Sequence, residues 1–89
     1  MNVSFTPESE ADLDAIYDFS ASHDDQAAAR VLARILQSLA HLESFPMPGR
    51  IAGTRELSIA GLAYYAVYRI VDATQLDVVA IMHERQQFP

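Results

Sequence analysis

The apolar residues change their spacing once along this chain, and that change limits the folds open to it. Through residue 44 they recur at three- and four-residue steps, as on one face of an α-helix; from Thr54 they alternate, as on one face of a β-strand. Between the two regimes stands Phe45-Pro46-Met47-Pro48-Gly49, whose prolines cannot continue helical hydrogen bonding. Helices followed by strands in one short chain predict an α+β architecture.

The first residues, Asn2 to Phe5, set Val3 and Phe5 alternately among polar neighbours and predict a short strand. Thr6-Pro7 then starts a helix: a hydroxyl cap, a proline at the first helical position, and Glu8 and Glu10 near the positive end of the helix dipole. The helix is expected from about Pro7 to Ala21, with Leu13, Ile16 and Tyr17 on its buried face and Ser9 and Ser20 extending the stripe. Asp12, Asp14 and Asp18 are expected to point to solvent or to a partner. Ser22-His23-Asp24-Asp25 breaks the pattern and offers Asp24 as the next cap. In the second helix Ala28, Val31 or Leu32, Ile35, Leu39 and Leu42 form a stripe that can pack on the first helix as an antiparallel hairpin, with Arg30, Arg34, Gln37 and His41 turned away from it.

Beyond Thr54, Arg55, Leu57 and Ile59 share one face of a strand, and Glu56 and Ser58 the other, up to a turn at Ala60-Gly61. Tyr64 to Val71, rich in aromatic and β-branched residues, is the next strand; Asp72-Ala73-Thr74-Gln75 turns into a last one, Leu76 to Met82. The expected fold is an N-terminal strand, a helical hairpin and a three-stranded antiparallel meander, with both helices on one face of the sheet. With 89 residues the chain reads as a single domain, 1–89, too short for two cores.

An apolar fraction of 51% supplies such a core and argues against disorder. There are no cysteines, which excludes disulfides and thiol chemistry and fits a reducing cytoplasm. No apolar run approaches the ~20 residues of a membrane span, and the first residues lack a secretory pattern, so a soluble cytoplasmic protein is expected. The net charge of -6 disfavours a nucleic-acid binder. It is unevenly spread: seven of the twelve acids lie in the first 25 residues, and all six basic residues, every one an arginine, come later.

Arg69 alternates with Val67 and Tyr65, opposite Tyr64, Ala66, Tyr68 and Ile70. If the larger apolar set faces the helices, Tyr65 and Arg69 project from the open face. Arg55 reads either as part of a site or as a structural arginine paired with Glu56 or Asp77. His83 and Arg85 follow at same-face spacing. Arg50 could join Arg55, Arg69 and Arg85 in a basic patch, although Pro48-Gly49-Arg50 and Gly53 make no phosphate-cradling motif. His23 and His41 have no partner at ligand spacing, so neither a metal nor a cofactor is expected.

Five stretches in order resemble the ParE/RelE superfamily of toxins over nearly the whole chain: FTPESEADLDAIYDF, QAAARVLARILQSLAHLESFPMPGR, GTRELSIAG, YYAVYRIV and IMHERQQFP. The resemblance implies the toxin of a type II toxin-antitoxin pair, neutralised by a cognate antitoxin that wraps the helical hairpin or adds to the sheet edge, as a homo- or hetero-oligomer. Leu13, Tyr17, Arg30 and Arg34 are the antitoxin contacts it implies. ParE-like members are implicated as poisons of DNA gyrase, whereas RelE-like members cut mRNA on the ribosome. The GR...GTREL run and the ending HERQQFP are closer to the ParE side. RelE-like chains often read YRLVY where this one has Tyr65 in place of an arginine, and they carry a late tyrosine where this one has Phe88; lysine is absent. The expected mechanism is therefore binding without chemistry, with Arg55, Tyr65, Arg69, His83 and Arg85 presented to gyrase as one cluster. The enzyme alternative is an mRNA endonuclease in which His83 or Glu84 handles protons and Arg69 or Arg85 stabilises phosphate charge. A third reading is an inactive relic that binds antitoxin only.

Overall fold

The computed structural model describes residues 2–44 and 54–85, so Arg50 and Phe88 lie outside the described residues. The elements run β1 (Asn2–Phe5), α1 (Pro7–Ala21), α2 (Asp25–Ser44), β2 (Thr54–Ser58), β3 (Tyr64–Ile70) and β4 (Gln75–His83). The sheet order is β1-β4-β3-β2. The last three strands form the expected antiparallel meander, and β1 lies parallel to β4 at its far edge.

Both helix starts are built as the sequence predicts. Thr6 caps α1: its Oγ1 accepts from the Ser9 N–H at 3.2 Å and donates to the Val79 carbonyl at 3.2 Å, while its own N–H donates to Val78 O at 3.0 Å. One residue thus satisfies a helix end and stitches it to β4. Ser9, fully buried, donates its hydroxyl to Thr6 O at 2.9 Å. At the second start, Asp24 Oδ1 accepts from Gln26 N–H at 2.9 Å.

The main core lies between the helices and one sheet face. Ile16, Ile35, Leu39 and Leu42 meet Ile59, Ala66, Tyr68, Ile70, Leu76, Val78 and Ile81, with Leu13 and Tyr64 packed at its margin. Ile35 is completely buried; its truncation to alanine would cost about 2–5 kcal/mol. Tyr17 departs from expectation: placed on the buried stripe by its spacing, it is 39% exposed. The narrow stripe of α1 is filled by Ser9, Leu13 and Ile16, and the next position round the helix turns outward.

Asp12 also departs from expectation. It is half-buried, and its Oδ2 accepts from the Ile81 N–H at 3.0 Å. The pairing of β1 with β4 ends at Phe5–Val78, so further along that side β4 has no strand to receive its N–H groups. The helix supplies the acceptor instead.

Between the pairs Val67–Ala80 and Tyr68–Val78, β4 carries one extra residue, Val79, as a bulge. Val67, Val79 and Ala80 form a second, smaller cluster with Tyr65 and Met82 packed against it. The face turned from the helices therefore carries apolar packing of its own.

Candidate functional site

Register assigns every candidate side chain on the sheet to a face. Tyr64, Ala66, Tyr68 and Ile70 belong to the main core, so the intervening Tyr65, Val67 and Arg69 lie on the other side, as expected. On that face Ser4, Asp77, Arg69 and Thr54 stand in register across the four strands and make a polar row. Gln75 reinforces it, its Nε2 donating to Ser4 Oγ at 2.8 Å and to Asp77 Oδ1 at 3.0 Å. The next row is Ala80, Val67 and Glu56, and the one after is Met82, Tyr65 and Ser58. The result is a strip with exposed Arg69 at one end, half-buried Tyr65 at the other and buried Val67 between.

Arg55 and His83 stand on the opposite face. Arg55 is the register partner of Tyr68, and His83 of Tyr64, both core-facing residues. The expectation of one cluster holding Arg55, Tyr65, Arg69, His83 and Arg85 is therefore corrected: alternation puts Arg55 and His83 on one face and Tyr65 and Arg69 on the other, and Arg85 lies in the turn beyond β4. The structural pairing of Arg55 with Glu56 or Asp77 is corrected for the same reason, since both carboxylates lie on the Arg69 side.

His83 has its own surroundings. Its ring meets Tyr64 edge to face with centroids 5.5 Å apart, and its Nδ1 accepts from the Arg85 N–H at 3.1 Å. A backbone N–H can only donate, so in the neutral ring the proton sits on Nε2. The lone pair a general base would use is already occupied. Tyr64 and Arg69 are five steps apart on β3, roughly 16 Å, so the imidazole and the Arg69 guanidinium are separated along the sheet as well as across it. Glu84 and Arg85 are exposed in the turn after β4. Among the described residues, no proton-handling group and phosphate-binding cation from the enzyme alternative come together apart from the sequence neighbours His83, Glu84 and Arg85.

Of the hairpin residues, Leu13 is half-buried against the main core, whereas Arg30 and Arg34 are exposed on α2. The two arginines, with Ala27, Val31, Gly61 and Leu62, line a groove of about 270 Å³ between α2 and the β2–β3 turn. Spacing had marked Arg30 and Arg34 as turned from the core; what it could not provide was Gly61 and Leu62, which the topology brings opposite them. The helices and strands accommodate no membrane-crossing helix among the described residues.

Comparison with known proteins places this geometry. The chain is 40% identical over 80 residues to "Putative toxin Y4kP" of Sinorhizobium fredii (strain NBRC 101917 / NGR234), covering 86% of this chain and 81% of that protein. Its fold matches a solved chain described as "Chromosomal ParDE TA system from P. aeruginosa", with a TM-score of 0.78, 22% identity, and coverage of 93% of this chain and 95% of the other. Residues 3–88 match the family described as the ParE toxin of the type II toxin-antitoxin system parDE, and the chain belongs to that family.

Proposed function

We propose that this ParE-family toxin arrests bacterial growth by binding DNA gyrase through the sheet face bearing Tyr65 and Arg69, and that a cognate antitoxin silences it in the cytoplasm. The observation that supports binding over catalysis is the division of the candidate residues. Ribose hydroxyl activation and phosphate stabilisation need groups converging on one phosphodiester, and His83 and Arg69 stand on opposite faces. A partner-binding surface has no such demand: an exposed arginine and an aromatic ring flanking an apolar strip are the side chains that anchor protein interfaces. Arg55, His83 and Arg85 then belong to a separate surface of the toxin, and Leu13, Tyr17, Arg30 and Arg34 to the antitoxin's contact on the hairpin. The structural relative from a ParDE system supports an antitoxin partner for this chain.

The test is induction of the chain alone in bacteria, with DNA synthesis and protein synthesis followed separately over the first minutes. Early loss of DNA synthesis with DNA-damage signalling is the expected result. Early loss of translation would return the function to the ribosome and mRNA, and growth without arrest would mark an antitoxin-binding relic.

A further inference from the structure

The second helix carries Arg30 and Arg34 with no acidic residue at helical-neighbour spacing from either. Residues 26–42 contain no Asp or Glu, although the chain has twelve acids and α1 alone holds Glu8, Glu10, Asp12, Asp14 and Asp18. Arg30 and Arg34 are four residues apart, so their stems are neighbours on one helix face, about 6 Å apart. Like charges at this spacing repel by a few tenths of a kcal/mol. Neither has an acidic residue three or four positions away to offset this: those positions hold Gln26, Ala27, Ala33, Gln37, Ser38 and Val31.

The groove beside the pair has a built shape. Gly61 has a φ of +79°, the left-handed conformation that glycine adopts without strain. Its missing side chain matters as well, because a Cβ there would lie 3.0 Å from Arg34 Nη1. The guanidinium therefore lies across the turn, donating to the Ala60 carbonyl at 3.3 Å and keeping its other N–H groups available. Ala27, Val31 and Leu62 supply apolar lining below.

We infer that this groove receives an acidic segment of the antitoxin, with an apolar side chain on Val31 and Leu62 and an adjacent carboxylate held between Arg30 and Arg34. The inference deepens the antitoxin reading above and rests on it for the natural occupant. Arginine presents a planar fork that matches a carboxylate, and the apolar lining selects a side chain that nucleic acid lacks. A polyanion would also meet the net charge of -6 along its whole length, whereas one or two carboxylates meet only the local pair. The charge division between α1 and α2 gives the contact a direction, since an acidic segment is repelled from one helix of the hairpin and drawn to the other.

The test uses a random peptide library displayed on phage, selected on the full chain and counter-selected on the Arg30→Gln, Arg34→Gln variant. Glutamine is a good helix former, and circular dichroism checks that the variant keeps its fold. Enriched peptides are expected to carry Asp or Glu beside Leu, Ile or Val, and each single substitution to weaken the best peptide roughly tenfold. Peptides without a carboxylate, or equal binding to the variant, would overturn the inference. So would a DNA or RNA duplex that binds the chain and is lost from the variant, which would make the pair a phosphate contact. The growth assay above stands apart: peptide selection without growth arrest would reject the toxin activity and leave the groove, and arrest without selection would do the reverse.

Discussion

Asp12 on α1 accepts a hydrogen bond from the backbone N–H of Ile81 on β4, at 3.0 Å, where β1 no longer pairs with that strand. Replacing it with alanine removes the acceptor from a partly buried N–H, at a cost of about 1–3 kcal/mol. Urea denaturation should show the loss as a lower midpoint with an unchanged slope, and Asp12→Asn, which keeps an acceptor oxygen, should recover most of it. An unchanged midpoint for Asp12→Ala would mean that water satisfies Ile81.

That contact also marks the boundary of what could be read from the chain. The Thr6-Pro7 start, the Asp24 cap, the α2 stripe and the meander depend on neighbours a few residues apart, and local spacing reports them. Asp12 and Ile81 are 69 residues apart. Nothing in the spacing of α1 distinguishes Asp12 from Asp14 or Asp18, and only the parallel docking of β1 on β4 singles it out. The site divides in the same way. Alternation along β3 placed Tyr65 and Arg69 together, and alternation along β2 placed Arg55 with Leu57 and Ile59. Grouping Arg55 and His83 with Tyr65 and Arg69 required knowledge of how strands register, which no single strand contains.

Thr6 should prove sensitive to loss of its hydroxyl. Its hydroxyl both caps α1 and reaches Val79 O, so Thr6→Ala is expected to cost about 1–2 kcal/mol, and Thr6→Ser, which keeps the oxygen, far less. Thermal denaturation of the two variants checks this; equal losses would assign the effect to the methyl group.

Asp72 gives the turn between β3 and β4 a dependence on acid. The Thr74 N–H, at 2.8 Å, and then the Thr74 hydroxyl, at 2.9 Å, donate to its Oδ1 and lower its pKa from the ordinary value of 3.8. With the folded pKa below the unfolded one, the contribution to stability is present above the ordinary value and fades as pH falls through the folded pKa. An NMR titration of the Asp72 carboxyl should show its midpoint below 3.8, and Asp72→Asn should remove this part of the acid sensitivity. A midpoint at or above the ordinary value would contradict the turn geometry.

The two sheet faces should separate in a growth assay. Truncating a central interface residue costs about 2 kcal/mol or more, roughly 30-fold in affinity, so Arg69→Ala and Tyr65→Ala should relieve growth arrest while keeping the fold. His83→Gln should remain toxic. Loss of arrest in a folded His83→Gln variant, with Arg69→Ala unaffected, would move the working surface to the other face.

The extra residue at Val79 has a consequence for how members of this fold can diverge. Before it, even-numbered Leu76 and Val78 face the helices; after it, odd-numbered Ile81 and His83 do. The bulge is a phase shift in the strand's alternation, and it decides which side of the sheet receives the imidazole. Because Val67–Ala80 and Tyr68–Val78 are consecutive pairs on β3, deleting Val79 would close the bulge and leave His83 opposite Tyr64, whereas drawing Val79 into regular pairing would carry His83 to the side of Arg69. In this architecture a bulge lets β4 take up one residue more than its partner strand while every other side chain keeps its side of the sheet.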